Sequence, residues 1–105
     1  MTKEQLFESV VRDRIATAKD ATGHSFYLLI EALDRDGAVG VARRFINPKH
    51  FQTFQDGLRE LKRARLLRLS VEQTIIDFHG RGYIFSDDEA DAARSRLKLI
   101  QLLVN

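Results

Sequence analysis

The chain contains no cysteine. That excludes a disulfide framework, a thiolate metal site and a cysteine nucleophile, and it suits the reducing cytoplasm where we expect the protein to work. No apolar run approaches the roughly 20 residues of a membrane span. The opening stretch MTKEQLFESV lacks the apolar centre of a signal peptide. Linkers, low-complexity tracts and internal repeats are also missing. There is one proline in 105 residues. That length predicts one domain over 1–105, and an apolar fraction of 44% is enough for a small core. A domain this small is marginal alone, which favours self-association.

Excess charge is scarce too: the formal net charge is +2. Its distribution is uneven. Residues 1–40 and 71–105 each carry a net −2, whereas residues 41–70 carry +6. A basic middle between acidic flanks points weakly to an anionic partner, and the acidic ends can equally neutralise it from within.

Several helix signals punctuate the chain. Thr2 with Gln5 forms a capping box, and apolar residues from Leu6 to Ala18 recur at helical spacing before Gly23, predicting a helix over about 3–21. Arg14 falls within that stripe and reads as a cation snorkelling at its edge. Ser25 is the expected cap of a helix over about 26–35, ended by Asp36-Gly37. The competing reading pairs 26–46 as a hairpin and makes the fold α+β. Helices are preferred because Leu28, Leu29, Ala32 and Leu33 are good helix formers and the alternation a hairpin needs is poor. A third helix over about 38–46 contains Gly40, which we expect to admit a neighbouring helix.

Asn47-Pro48 is a cap followed by proline at the first helical position. Phe51, Phe54, Leu58 and Leu61 then form a core stripe, predicting a central helix at about 48–65. Arg65 stands where that stripe should continue, so the helix breaks before it or Arg65 faces a partner. Ser70 and Gln73 form a second capping box ahead of a short helix, and His79-Gly80-Arg81-Gly82 reads as a loop. Tyr83, Ile84 and Phe85 are too apolar for a solvated loop. Ser86 and Glu89 cap a last helix over about 87–103, whose stripe is Ala90, Ala93, Leu97, Ile100 and Val104. Leu99, Leu102 and Leu103 lie off it, so this helix is either central or in contact with another chain.

Little of this carries chemistry. His24, His50 and His79 lack metal-ligand spacing. The HGRG segment offers two glycines and Arg81 to a phosphate but matches neither a dinucleotide fingerprint nor a phosphate-binding loop. Asp87, Asp88, Glu89 and Asp91 are explained by a helix N-terminus. Ser25, Ser70 and Ser86 read as caps, not nucleophiles. The one serious candidate is the basic group: Arg43 and Arg44, then Arg59, Lys62, Arg63 and Arg65, with Lys49 and Arg68 nearby. Such an array suits phosphates or an acidic protein, but it has no interleaved aromatics for base stacking.

From Gly37 onward the order of features resembles a group of small uncharacterised helical bacterial proteins. The residues that carry the resemblance are Gly40-Val41-Ala42-Arg43-Arg44, Phe54 to Leu61, Leu67-Arg68-Leu69-Ser70-Val71-Glu72, Ile84-Phe85-Ser86-Asp87-Asp88-Glu89 and Ala93-Arg94-Ser95-Arg96-Leu97. Arg68 departs from the pattern, which prefers an acidic residue there. The resemblance implies helices over 38–46 and no particular activity.

The expected fold is therefore an all-α compact bundle of five or six short helices. The expected function is a non-catalytic protein-interaction or regulatory module, without cofactor, metal, membrane or small-molecule ligand. It would self-associate, as a homodimer, through Leu99, Leu102 and Leu103. The alternative is a nucleic-acid binder using the Arg43–Arg68 face, and an enzyme ranks last because no residues converge on a pocket.

Overall fold

A computed structural model describes residues 1–50, 55–82 and 84–103, with the side chains of 50, 55, 56, 81, 82 and 103 outside the description. Six α-helices follow one another: α1 Lys3–Thr22, α2 Tyr27–Asp36, α3 Ala38–Phe45, α4 Gln55–Arg63, α5 Val71–Gly82 and α6 Asp87–Leu103. Short 3-10 turns occupy Pro48–His50 and Leu67–Leu69. The described residues contain no strand, so the bundle is all-α and 26–46 is not a hairpin.

The ends of α1 follow local chemistry. Thr2 accepts from the Gln5 N–H while Gln5 accepts from the Thr2 N–H, and Gly23 closes the helix at φ 74°. The same reciprocal box joins Ser86 and Glu89 ahead of α6. At α5 only half the box forms. The Gln73 N–H donates to Ser70, but the Gln73 side chain donates to Asp77.

Other expectations need correction. Ser25 does not cap α2. The position before the helix is Phe26, which makes no side-chain cap and sits at φ 51°. Its N–H donates instead to Nδ1 of His24 at 3.0 Å. The expected helix over 48–65 opens as a 3-10 turn, held by the Lys49 N–H donating to Asn47. Phe51 and Phe54 lie outside the described residues, as do Tyr83 and Val104. HGRG is not a loop, because α5 continues through Gly82. Buried Ile75 and Phe78 anchor that helix to the core, and the packing outweighs the glycine penalty. Gly40 admits no neighbouring helix: it is exposed, and a methyl group there would meet only Asp36 Cβ at 3.8 Å.

The centre of the bundle is α5, which packs on α1, α3, α6 and the Leu67–Leu69 turn. Phe7 sits at the heart of the core, edge-on to both Phe78 and Phe85 with centroids 5.2 and 5.0 Å apart. Val11, Val41, Ala42 and Ile75 close around it. Arg14 is more than an edge residue. It donates to Thr74 at 2.9 Å and pairs with Asp77 at 2.9 Å, pinning α1 to α5. Glu8 reaches across from α1 to accept the Ala38 N–H, so it caps α3, which has no side-chain cap of its own.

Candidate functional site

Where α4 ends, the backbone settles the position of Arg65. The Leu66 N–H donates to the Leu61 carbonyl at 2.7 Å and the Arg65 N–H to that of Lys62 at 3.0 Å. With Arg65 at φ 60°, these bonds make a Schellman stop in which an arginine takes the place usual for glycine. The helix therefore breaks before Arg65, and the side chain is exposed.

The basic group is divided. Arg43 pairs with Glu89 and donates to the Ile84 carbonyl. Arg44 pairs with Asp36, Arg63 with Glu60, and Lys62 donates to the Gln101 carbonyl near the end of α6. Arg43, Arg44 and Lys62 tie separate helices together, and Arg63 pairs within α4; the acidic flanks neutralise Arg43 and Arg44 from within. Arg59, Arg65 and Arg68 remain exposed and form no ion pair among the described residues. Glu89 shows the electrostatic effect of one pairing. Burial opposes its ionisation, but the Ser86 N–H and Arg43 outweigh it and hold the carboxyl below its ordinary range.

The other sequence candidates stay apart. His79 meets Asp87 across the α5–α6 corner at 2.6 Å, and the Arg81 side chain lies outside the description. No cluster of three or more acidic or histidine side chains among the described residues is arranged to hold a metal ion. No described helix is long and apolar enough to cross a membrane. On α6, Leu99 is 39% and Leu102 72% exposed, whereas Leu103 is described only in its backbone.

What the sequence did not foretell is a cavity of about 200 Å³ between the end of α1, the start of α2, Phe45 of α3, α4, and the Leu67–Leu69 turn with the start of α5. Ile15 and Ala18 of α1, Leu58 and Leu61 of α4, and Phe26 line it. Phe26 owes its place to a left-handed backbone, uncommon for a bulky side chain, and its ring packs on His24 with centroids 4.5 Å apart. Gly57 gives the ring room, since a methyl group there would lie 3.1 Å from Phe26 Cδ1. Tyr27 and Leu28 also line the cavity, yet they are 60% and 54% exposed, an apolar rim in contact with water.

Among the described residues, Glu72 contributes the one carboxylate that lines the cavity. It is 2% exposed and receives a hydrogen bond from buried Arg96 Nε at 2.5 Å. The Arg96 guanidinium also lies 5.7 Å from the centre of the Phe45 ring. Burial pushes the Glu72 carboxyl up, and Arg96 opposes that rise. The periodicity of α6 concealed this pair. Its apolar stripe steps from Ala93 to Leu97, and Arg96 lies on the same buried face.

No protein-family model, curated protein or solved structure matches the chain. The likeness to small helical bacterial proteins stands on the residues quoted for it alone.

Proposed function

We propose that the protein is a non-catalytic interaction module whose recognition surface is the cavity mouth between α2 and α4. The observation that carries this reading is the exposed apolar rim of Tyr27 and Leu28 around a hollow that one side chain can fill. Interfaces draw most of their affinity from a few anchors seated in such pockets. Chemistry has less to work with, because the buried ionisable pair of Glu72 and Arg96 is consumed in packing. The nucleic-acid reading has less behind it than the sequence alone gives, since Arg43, Arg44, Lys62 and Arg63 are engaged within the chain. A second contact, self-association through Leu99, Leu102 and Leu103, rests on the exposure of Leu99 and Leu102 and needs no cavity.

The test is comparative capture from the native host with the parent chain, Leu28→Lys and Leu102→Lys, all checked for unchanged helicity. One protein retained by the parent and by Leu102→Lys, but lost with Leu28→Lys, is the expected result. Retention by all three chains would contradict the proposed surface. Light scattering on the same samples reads the dimer: loss with Leu102→Lys is expected, and a strict monomer for the parent chain would exclude self-association.

A further inference from the structure

A short run of hydrogen bonds leads from the end of α1 to the cavity. The Thr22 hydroxyl donates to the Ala18 carbonyl at 2.7 Å and accepts the His24 N–H at 3.1 Å. Nδ1 of His24 in turn accepts the Phe26 N–H at 3.0 Å. A backbone amide can only donate, so this bond requires a lone pair on Nδ1 and the ring proton on Nε2. The residue held in this way is the one that shapes the cavity. Phe26 sits at φ 51°, where a bulky side chain is strained, and no side chain caps the helix that it precedes. It is 5% exposed, so its N–H has little water to replace a lost acceptor. His24 and Phe26 both line the cavity, and Gly57 of α4 fits against the Phe26 ring.

Histidine is the side chain that changes its charge between about pH 5 and 8. A second ring proton would occupy the Nδ1 lone pair and set one donor against another. Turning the ring over does not restore the bond, because no edge of an imidazolium accepts. Other groups titrate nearby. Tyr27 of α2 and Glu72 of α5 line the same cavity, and Arg96 of α6 pairs with Glu72. Among the described residues, α1, α3 and α4 bring no titratable side chain to that lining.

We infer that His24 is a positioning residue for the cavity: its neutral ring holds Phe26 in the left-handed conformation, and protonation releases Phe26 and weakens whatever binds there. This rests on the interaction reading above and adds a regulation to it. Recognition through the cavity is favoured at neutral pH and fades in acid.

The experiment follows benzene binding by heteronuclear NMR, because benzene has no group that titrates. The parent chain, His24→Asn and His24→Phe are titrated at about pH 8 and about pH 5.5, towards the two ends of the imidazole range. The lower value stays above the range in which Glu89 gains its proton, so the α6 cap is intact, and helicity is checked throughout. Asparagine offers an oxygen that accepts the N–H two residues on and does not titrate. Phenylalanine keeps a ring beside Phe26 and has no acceptor. The parent is expected to bind about three- to tenfold more weakly at the lower pH, the effect of one hydrogen bond. His24→Asn should bind equally at both values, and His24→Phe should match the acid-weakened parent at both. Equal affinity of the parent at the two values overturns the inference and leaves the recognition surface standing. The same acid loss in His24→Asn assigns it to another group, Glu72 first, and overturns the inference as well. So does His24→Phe binding like the parent at the higher pH, or His24→Asn binding as weakly as His24→Phe. No benzene binding by the parent at either pH overturns the inference together with the role of the cavity.

Discussion

Arg65 occupies a backbone conformation that glycine adopts without strain and other residues adopt at a cost. Its side chain is exposed and makes no ion pair among the described residues, so nothing on the fold repays that cost. Arg65→Gly should therefore stabilise the chain by about 0.5–1 kcal/mol in urea unfolding. An unchanged or lower stability would mean that the guanidinium holds something in place. The sequence marked Arg65 as anomalous because it stood in the core stripe, and the anomaly was real. Arg96 is the reverse case. A charged residue is not counted when apolar stripes are read, so its burial against Glu72 and Phe45 was invisible. Replacing Arg96 by Met leaves a buried carboxylate uncompensated and should cost about 3–5 kcal/mol. The double replacement Glu72→Met with Arg96→Met should recover most of that loss. If the double variant is as unstable as the single one, the pair does more than neutralise itself.

Helix ends were legible wherever both partners of a cap lie within one turn, as at Thr2 with Gln5 and Ser86 with Glu89. They were illegible where the partner comes from elsewhere. Glu8 caps α3 from a residue thirty positions away, and no local pattern announces it. The end of α5 was misplaced for a related reason: Gly80 and Gly82 weaken a helix locally, while Phe78 and Ile75 fasten it through contacts a sequence does not display. The α6 cap also has a pH signature. The folded state lowers the Glu89 carboxyl below the ordinary 4.5, so its stabilisation is complete above the unfolded value. It is lost as pH falls through the lower folded value. Glu89→Gln should reduce stability at neutral pH and flatten the acid limb below about pH 4.5 in thermal unfolding. An acid limb identical to the parent's would show that Arg43 and Ser86 do not hold the charged form.

For the whole molecule, the all-α bundle was legible because amphipathic spacing and caps agree along most of its length. The cavity was not. It is bounded by residues from separate segments, α1 through the start of α5, and its shape depends on the left-handed Phe26 and on Gly57, whose roles appear only in three dimensions. The apolar rim belongs to a helix whose leucines read in the sequence only as good helix formers. The buried pair and the ion-paired arginines belong to the fold, whereas Tyr27 and Leu28 expose apolar surface at the cavity mouth, where we propose that a partner docks. The most direct measurement is a heteronuclear NMR titration with benzene, which probes the cavity without any assumption about that partner. The account predicts shifts concentrated on Ile15, Ala18, Phe26, Leu61 and Val71, with Gly57→Ala or Ala18→Leu weakening them. Shifts scattered over the surface, or none up to benzene's solubility, would contradict it.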